Sequence, residues 1–159
     1  MTTQTTQINR RKLDEINGFQ EFSQEVDIVM DSMKVDIARV YRKFGYQPLD
    51  TRIVEPLSIL VEKGIDSKEV FCLSTLHKGE LKDRAETQET LALRFDLTVP
   101  LARYVAQNEK SLSFPFKRYH IAKVFRGETA RPTQGRFCEF YQSDIDVVGN
   151  GKLDLMYDA

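Results

Sequence analysis

The chain has 159 residues, 41% of them apolar and 30% charged, which is typical of one soluble globular domain with a hydrophobic core. Its 23 basic and 24 acidic residues give a formal net charge of -1, which excludes a protein that binds nucleic acid through overall positive charge. Cys72 and Cys138 have no CxxC or HxxxH spacing, so we predict two free thiols and no metal site.

The N-terminal residues, 1–17, are predicted to form a flexible polar tail. They lack the apolar stretch of a signal peptide, and no run of the chain is apolar for long enough to cross a bilayer. Free thiols are in keeping with a reducing compartment. We therefore expect a cytoplasmic protein without membrane contacts.

An amphipathic helix is predicted from about Phe19 to Phe44, because apolar residues recur there at steps of three and four. These residues are Phe22, Val26, Val29, Met33, Ile37, Val40 and Phe44. Gly45 is typical of the residue that follows the end of a helix. We interpret this helix as core and dimer scaffolding.

The middle of the chain is predicted to alternate short strands and helices. Tyr46–Val54 is predicted to be an extended strand and Pro56–Lys63 a short helix with proline in its first turn. Val70–Leu76 and Leu91–Phe95 are predicted strands, and the charged run between them is predicted to be a solvated loop or hairpin.

A second helix is predicted from about Pro100 to Gln107. Asp96 or Thr98 is predicted to cap its N-terminus by accepting backbone N–H bonds. The segment GKLDLMYDA at the end of the chain resembles the start of a further helix.

Two long strands joined by a turn are predicted between Phe116 and Gly149. Side chains alternate across a strand, so the pattern predicts two different faces. One face carries Arg136, Phe140, Gln142, Asp144 and Asp146, and the other carries Phe137, Tyr141, Ile145 and Val147. The first face indicates a site for a nucleotide and an amino acid, with Arg126 just before the turn, and the second is predicted to pack. A hairpin with one solvated face is the alternative.

The residue types explain that interpretation. A guanidinium binds phosphate or carboxylate with two N–H groups, an aromatic ring stacks on a purine, and a carboxylate pairs with an ammonium or a ring N–H. His77 and His120 have no companion ligands and are interpreted as ordinary surface or strand histidines. Lys117 and Arg118 are interpreted as a solvated pair rather than an RNA contact.

Five segments, taken in order from Gly18, resemble the histidyl-tRNA synthetases, a family of class II aminoacyl-tRNA synthetases. They are GFQEF, KGIDSKEVF, LALRFDLTVPLARYVA, KRYHIAKVFRGE and GRFCEFYQSDIDVVG. The resemblance implies an α+β fold with an antiparallel sheet flanked by helices. It also implies that residues 18–159 form the N-terminal part of the catalytic core, with motifs 1 and 2 but without motif 3 or the anticodon-binding domain.

The resemblance implies roles for individual residues. Arg126 matches the motif 2 arginine, the catalytic residue that contacts the α-phosphate of ATP and the carboxylate of histidine. Glu128, Arg136 and Phe140 match positions that bind ATP. Adenylate formation needs two anionic reactants to be positioned and their charge neutralised, so arginines and Mg²⁺ suffice without a covalent nucleophile.

The resemblance also implies a histidine pocket. The residues that would bind histidine are Asp96, Leu97, Thr98, Arg126, Gln142 and Asp146. Asp146 is predicted to confer selectivity, because a carboxylate and an amide reject amino acids that leave them unpaired. The alternative is that Asp144 or Asp146 only caps the loop at Gly149.

Two positions depart from the family pattern. Arg52 stands where motif 1 normally has a proline, and Cys138 stands where an arginine is common. The first change replaces a rigid residue by a long charged one within motif 1. The second removes a basic group near the ATP loop, so activity is expected to be reduced even where histidine still binds.

The predicted function is ATP-dependent activation of L-histidine and its transfer to tRNA(His). We expect a homodimer in the full-length protein, and we expect this chain to be a fragment of a longer enzyme or a short relative that acts with a partner. The alternatives are a non-catalytic histidine-sensing regulatory subunit of histidine biosynthesis and a truncated synthetase-like interaction module.

Overall fold

The computed structural model describes residues 16–61, 70–77, 80–82 and 90–158. The helices are α1 Gln24–Lys43, α2 Leu57–Leu60 and α3 Thr98–Asn108, with 3₁₀ turns at Pro132–Gln134 and Leu155–Asp158. The strands are β1 Gln47–Pro48, β2 Val54–Pro56, β3 Cys72–Leu73, β4 Thr75–His77, β5 Glu80–Lys82, β6 Leu91–Leu93, β7 Phe116–Phe125 and β8 Glu139–Val148. The predicted α+β class, with antiparallel sheets flanked by helices, is confirmed.

The largest element is the antiparallel hairpin of β7 and β8, which confirms the predicted pair of long strands. Its ten-residue strands are rich in aromatic and β-branched residues, which favour extended backbone. Arg118 pairs with Asp146 and His120 pairs with Asp144. The short strand β1 adds to the other edge of β7 in parallel. The register decides which polar side chains share a face.

A second sheet has the strand order β2-β6-β3, and all of its pairs are antiparallel. The hydrophobic core forms on it, where Leu60 of α2 packs with Val70 and Ala92. Phe95 and Val99, at the start of α3, pack against the same cluster. The core therefore holds the 95–99 segment in place beside the hairpin.

The helix α1 confirms the predicted amphipathic helix but starts later, at Gln24. Gly45 has a φ of +82°, as expected for the residue after a helix. None of the residues of α1 is buried, and Val29 is 57% exposed. The interpretation of this helix as part of the core is therefore wrong, because no other part of the described chain buries its apolar stripe. It contacts the hairpin through Tyr41, whose ring lies 5.6 Å from that of Tyr119.

Other predicted elements differ in length. The predicted strand Tyr46–Val54 is two short strands separated by a turn of irregular chain, and the predicted strand Leu91–Phe95 ends at Leu93. Val70–Leu76 is divided between β3 and β4. The charged run begins as the paired strands β4 and β5, while its residues 78–79 and 83–89 lie outside the described residues, as do residues 1–15 and Lys63.

The face of the hairpin that was predicted to pack is largely open. Tyr141 is 39% exposed and Ile145 is 45% exposed, so the prediction is wrong for these two residues. Lys34 of α1 lies over the Tyr141 ring at 4.0 Å, and Tyr41 and Ser143 share a hydrogen bond of 3.0 Å. The contacts that α1 makes on this face therefore come from its polar groups and not from its apolar stripe.

Among the described residues, no helix combines the length and the apolar character that a membrane span requires.

Candidate functional site

The even-numbered residues of the hairpin form one continuous surface, called here the polar face. It comprises Arg118, His120, Ala122 and Val124 on β7 and Phe140, Gln142, Asp144 and Asp146 on β8. Arg126 follows on the same side just after β7 ends. The predicted inclusion of Arg136 is wrong, because β8 begins only at Glu139 and Arg136 lies in the preceding loop.

The segment Asp96–Thr98 lies against this polar face. The Asp96 carboxylate accepts the backbone N–H of Val99 at 3.2 Å, which confirms the predicted cap of α3. Burial raises the pKa of Asp96, while the Val99 N–H and the charge of Arg126 oppose that rise and the charge of Asp144 adds to it. Asp96 is therefore in electrostatic contact with both ends of the hairpin surface.

Arg126 joins the turn of the hairpin to Phe95, the residue that precedes this segment. Its Nε donates to the carbonyl oxygen of Phe95 at 3.2 Å, and its guanidinium lies 5.1 Å from the centre of the Phe140 ring. Its backbone N–H donates to the carbonyl of Cys138 across the base of the loop at 2.8 Å. These contacts hold a cation next to an aromatic ring and close enough to Asp96 to act on its charge.

Arg118 is the most deeply buried cation of the polar face, with 1% of its surface exposed. Its Nη2 donates to the carbonyl oxygen of Leu97 at 3.0 Å and lies 2.8 Å from Oδ2 of Asp146. The approach to Asp146 lacks the direction of a hydrogen bond, so this contact is an ion pair. The interpretation of Lys117 and Arg118 as a solvated pair is thus wrong for Arg118, while Lys117 lies over the ring of Tyr157 at 4.7 Å.

The acidic end of the polar face is partly buried. Burial raises the pKa of Asp146, the charge of Arg118 opposes this rise and the charge of Asp144 adds to it. Gln142 donates from Nε2 to Oδ2 of Asp144 at 3.0 Å, and its Oε1 is buried without a protein partner among the described residues. A buried acceptor of this kind is suited to a ligand N–H.

Glu128 and Arg136 lie in the loop between the strands. Their side chains are exposed and approach each other to 3.9 Å. Arg131 and Arg136 form a single antiparallel bridge around the 3₁₀ turn, and Gly135 takes a φ of +71° there. The loop therefore adds two guanidinium groups, those of Arg131 and Arg136, after Arg126, and such groups suit an anionic ligand.

Sequence reasoning underestimated His120, which is buried on the polar face. Its Nε2 lies 2.9 Å from Oδ1 of Asp50, and its Nδ1 has no partner among the described residues. Burial lowers the pKa of His120, and the charge of Arg94 lowers it further against the opposing effect of Asp50. Arg94 itself is buried and donates to the carbonyls of Thr51 at 2.7 Å and Lys123 at 3.1 Å. The His120–Asp50 contact and the hydrogen bonds of Arg94 both connect the segment after β1 to the hairpin.

A buried carboxylate, Glu55 on β2, was also missed. Arg52 and Arg103 both donate to it: Nη2 of Arg52 lies 2.8 Å from Oε2, and Nη2 of Arg103 lies 2.8 Å from Oε1. Arg52, the residue that stands in place of the family proline, therefore has a counter-charge. The alternation of β7 could have revealed Arg118 and His120, since both are an even number of residues from Arg126. Nothing local signals the burial of Glu55.

The site as a whole combines three carboxylates, at Asp96, Asp144 and Asp146, with the guanidinium groups of Arg118 and Arg126. Such an arrangement can bind a zwitterion whose cationic part meets the acidic end and whose anionic part meets Arg126. Among the described residues, no group of three His, Cys, Asp or Glu side chains is placed to hold a metal. A cavity of about 290 Å³ lies elsewhere, between residues 114–115 and the 149–157 segment, and contains none of the predicted site residues.

Comparison with known proteins agrees with the sequence resemblance. The family model described as histidyl-tRNA synthetase matches residues 18–158. A histidine--tRNA ligase of Clostridium tetani (strain Massachusetts / E88) is 49% identical over 144 residues, which are 89% of this chain and 30% of that protein. This chain therefore spans about 30% of the length of the curated relatives that it matches.

Solved structures give the same result. A histidyl-tRNA synthetase from Nostoc sp. PCC 7120 superposes with a TM-score of 0.75 at 38% identity, covering 91% of this chain and 31% of that one. A protein described as an ATP phosphoribosyltransferase regulatory subunit/histidyl-tRNA synthetase from Bacillus halodurans C has a TM-score of 0.67 at 23% identity, covering 87% of this chain and 33% of that one. At that identity the second likeness concerns the fold alone.

Proposed function

This chain belongs to the histidyl-tRNA synthetase family, and from that premise we propose that residues 18–159 form the N-terminal part of a catalytic core that attaches L-histidine to tRNA(His). In the first step a carboxylate oxygen of histidine attacks the α-phosphorus of ATP, and pyrophosphate leaves. In the second step a hydroxyl of the tRNA 3′ end attacks the carbonyl of the histidyl-adenylate, and AMP leaves.

The observation that carries the proposal is that Arg118 and Arg126 both bind backbone carbonyls of the 95–98 segment, Arg118 that of Leu97 and Arg126 that of Phe95. It brings the acidic end and the cationic end of the polar face to the same short segment. Free histidine has an ammonium and ring N–H groups that suit carboxylates, and a carboxylate that suits a guanidinium. One zwitterion can therefore bind along this surface.

For the histidine end, we assign the α-amino group to Asp96 and Thr98 and the imidazole to Gln142 and Asp146. The buried Oε1 of Gln142 has no protein partner among the described residues and can accept an N–H. Oδ2 of Asp146 forms an ion pair with Arg118 but accepts no hydrogen bond from the described residues. A ligand without a matching N–H would therefore leave both this oxygen and Oε1 of Gln142 without a hydrogen bond, which disfavours its binding. Leu97 contributes a buried side chain and the backbone carbonyl bound by Arg118.

For the ATP end, we assign the α-phosphate and the histidine carboxylate to Arg126. The adenine ring is assigned to Phe140, which already lies beneath the guanidinium of Arg126, and the outer phosphates to Arg136. The protein's part is then to align two anions and to neutralise the charge that develops during attack.

Mg²⁺ would accompany ATP. This ion is usually held by one or two carboxylates together with phosphates, so a complete protein cage is not needed. Glu128, exposed beside Arg136, is assigned to ATP itself rather than to the ion. When bound, the ion would neutralise phosphate charge.

The test is histidine-dependent exchange of pyrophosphate into ATP, measured on the full-length gene product that carries this sequence. We expect exchange with histidine and none with the other amino acids at equal concentration. A folded full-length protein that shows no histidine-dependent exchange would contradict the proposal. Aminoacylation of tRNA(His) then tests the second step.

A histidine sensor without catalysis is the second candidate, since the fold is shared with a protein described in part as a regulatory subunit. The cations Arg126 and Arg136 favour the enzyme, because a sensor of histidine alone has no use for a phosphate-binding end. Calorimetry separates the two candidates. Binding of histidine without binding of ATP would favour the sensor.

We further propose that the full-length protein is a cytoplasmic homodimer. Its interface would include the apolar stripe of α1, where Val29, Met33 and Val40 are each about half exposed. Contiguous apolar surface of this kind usually marks an interaction site. The free thiols of Cys72 and Cys138 agree with a reducing compartment.

A further inference from the structure

Arg118 connects three separate parts of the site, although none of the assignments above gives it a role. It projects from β7, approaches Asp146 on β8 to 2.8 Å, and donates to the carbonyl of Leu97 at 3.0 Å. Its Nε and Nη1 are buried and have no partner among the described residues. These two nitrogens carry about three of the five N–H groups of a guanidinium. A charged group buried to this degree with most of its donors unused is costly to stability, so a role in function accounts for it better than a role in folding.

We propose that Arg118 is a positioning residue that sets the histidine selectivity of the pocket by holding the Asp146 carboxylate and the Leu97 carbonyl at a fixed separation. This inference rests on the proposed function and deepens it. Both contacts come from Nη2, which donates a hydrogen bond to the carbonyl and forms an ion pair with the carboxylate. A guanidinium is planar and holds this nitrogen in a fixed direction, whereas an ammonium provides a charge without a fixed shape.

The charges around Asp146 explain what Arg118 contributes. The charged groups that act on Asp146 are Arg118 from β7 and Asp144 from its own strand. Asp96, from the segment before α3, acts on Arg118, and His120 of β7 lies opposite Asp144. Burial and Asp144 both favour the neutral acid at Asp146, and Arg118 opposes them. Burial and the charge of Arg94 lower the pKa of His120 and so disfavour its cationic form, which means that His120 does not replace that cation. Without Arg118, Asp146 would bind a proton at a higher pH.

The contact with Leu97 adds a geometric effect. Asp96 and Thr98 flank the carbonyl that Arg118 binds, so loss of the contact would loosen the segment assigned to the α-amino group. Misplacement of a binding group by about 1 Å can change a rate constant by about a hundredfold. Arg126 keeps its own bond to Phe95, so the ATP end would stay in place.

The test compares Arg118→Met, Arg118→Lys and wild type in the full-length protein by pyrophosphate exchange. For Arg118→Met we expect the KM for histidine to rise about tenfold or more while the KM for ATP changes by less than about twofold. We also expect the acid limb of kcat/KM for histidine to move to higher pH, because Asp146 loses the cation that keeps it ionised. Arg118→Lys retains the charge and should keep the acid limb near wild type while restoring the KM only in part.

Lys117→Met is the matched control, since it removes a neighbouring cation from the opposite face of β7 and should leave both KM values unchanged. The role of Arg118 is contradicted if Arg118→Met has a wild-type KM for histidine, or if both KM values rise together with an unmoved acid limb. If Arg118→Met does not fold, Arg118→Lys decides: an increase in the KM for histidine alone supports the role, and equal effects on both substrates contradict it. A folded wild type without exchange contradicts the proposed function itself.

Discussion

Glu55 offers the sharpest test of how the framework of the site is stabilised. Its side chain has no exposed surface and receives N–H groups from two arginines, one at each carboxylate oxygen. Arg52 donates through Nε at 3.0 Å and Nη2 at 2.8 Å, and Arg103 donates through Nε at 2.9 Å. The substitution Glu55→Gln keeps the volume and removes the charge, so it leaves both guanidinium groups facing a neutral amide.

The expected loss of stability follows from burial. Arg103 is 10% exposed, so its contacts are charge-assisted hydrogen bonds in a dry environment, each worth about 1.5–3 kcal/mol. Arg52 is 52% exposed, so its pair is screened by water and adds no more than about 1 kcal/mol. Glu55→Gln should therefore lower the free energy of unfolding by about 2–4 kcal/mol.

Urea unfolding of the full-length protein, followed by circular dichroism, measures this change as a lower midpoint at an unchanged slope. The matched control is Asp36→Asn, which breaks the ion pair with Arg39 on α1, where both side chains are 65% exposed; its effect should be below about 0.5 kcal/mol. Arg52→Met should cost less than Glu55→Gln. A loss of less than about 1 kcal/mol for Glu55→Gln, similar to the control, would refute the reasoning.

Three further predictions concern the pocket, the surface of α1 and pH. Asp146→Asn should raise the KM for histidine by about a hundredfold in pyrophosphate exchange and leave that for ATP nearly unchanged; equal effects would contradict the assignment. Val29→Asp should shift the full-length protein toward monomer in light scattering at unchanged helix content, because Val29 is exposed within one chain; an unchanged dimer would exclude this surface as the interface. His120 has a lowered pKa in the folded state, so its contribution to stability is complete above its ordinary value of 6.5 and is lost as the pH falls through the folded value. The urea midpoint of unfolding should therefore fall less between pH 7 and pH 5 in His120→Asn than in the wild type. An equal fall in both proteins would contradict this prediction.

The local features of the fold follow from the sequence because short-range physics governs them. The apolar spacing before Gly45 predicts α1, and alternation predicts the hairpin and the shared face of Gln142, Asp144 and Asp146. The capping of α3 by Asp96 also depends only on residues within one turn. For these elements the prediction and the structure agree, because contacts between residues close in sequence determine their conformation.

Burial could not be predicted in the same way, because periodicity tells which residues share a face but not whether another part of the chain covers it. The apolar stripe of α1 is exposed, whereas Arg118 and Glu55 are enclosed. The partners that permit this enclosure lie far away in sequence, such as the Leu97 carbonyl for Arg118 and the Arg103 guanidinium for Glu55. By itself the sequence determined the helices, the hairpin alternation and the family. Only the tertiary structure decided which charges lie inside, since a buried charge is tolerated only where distant segments supply its counter-charges.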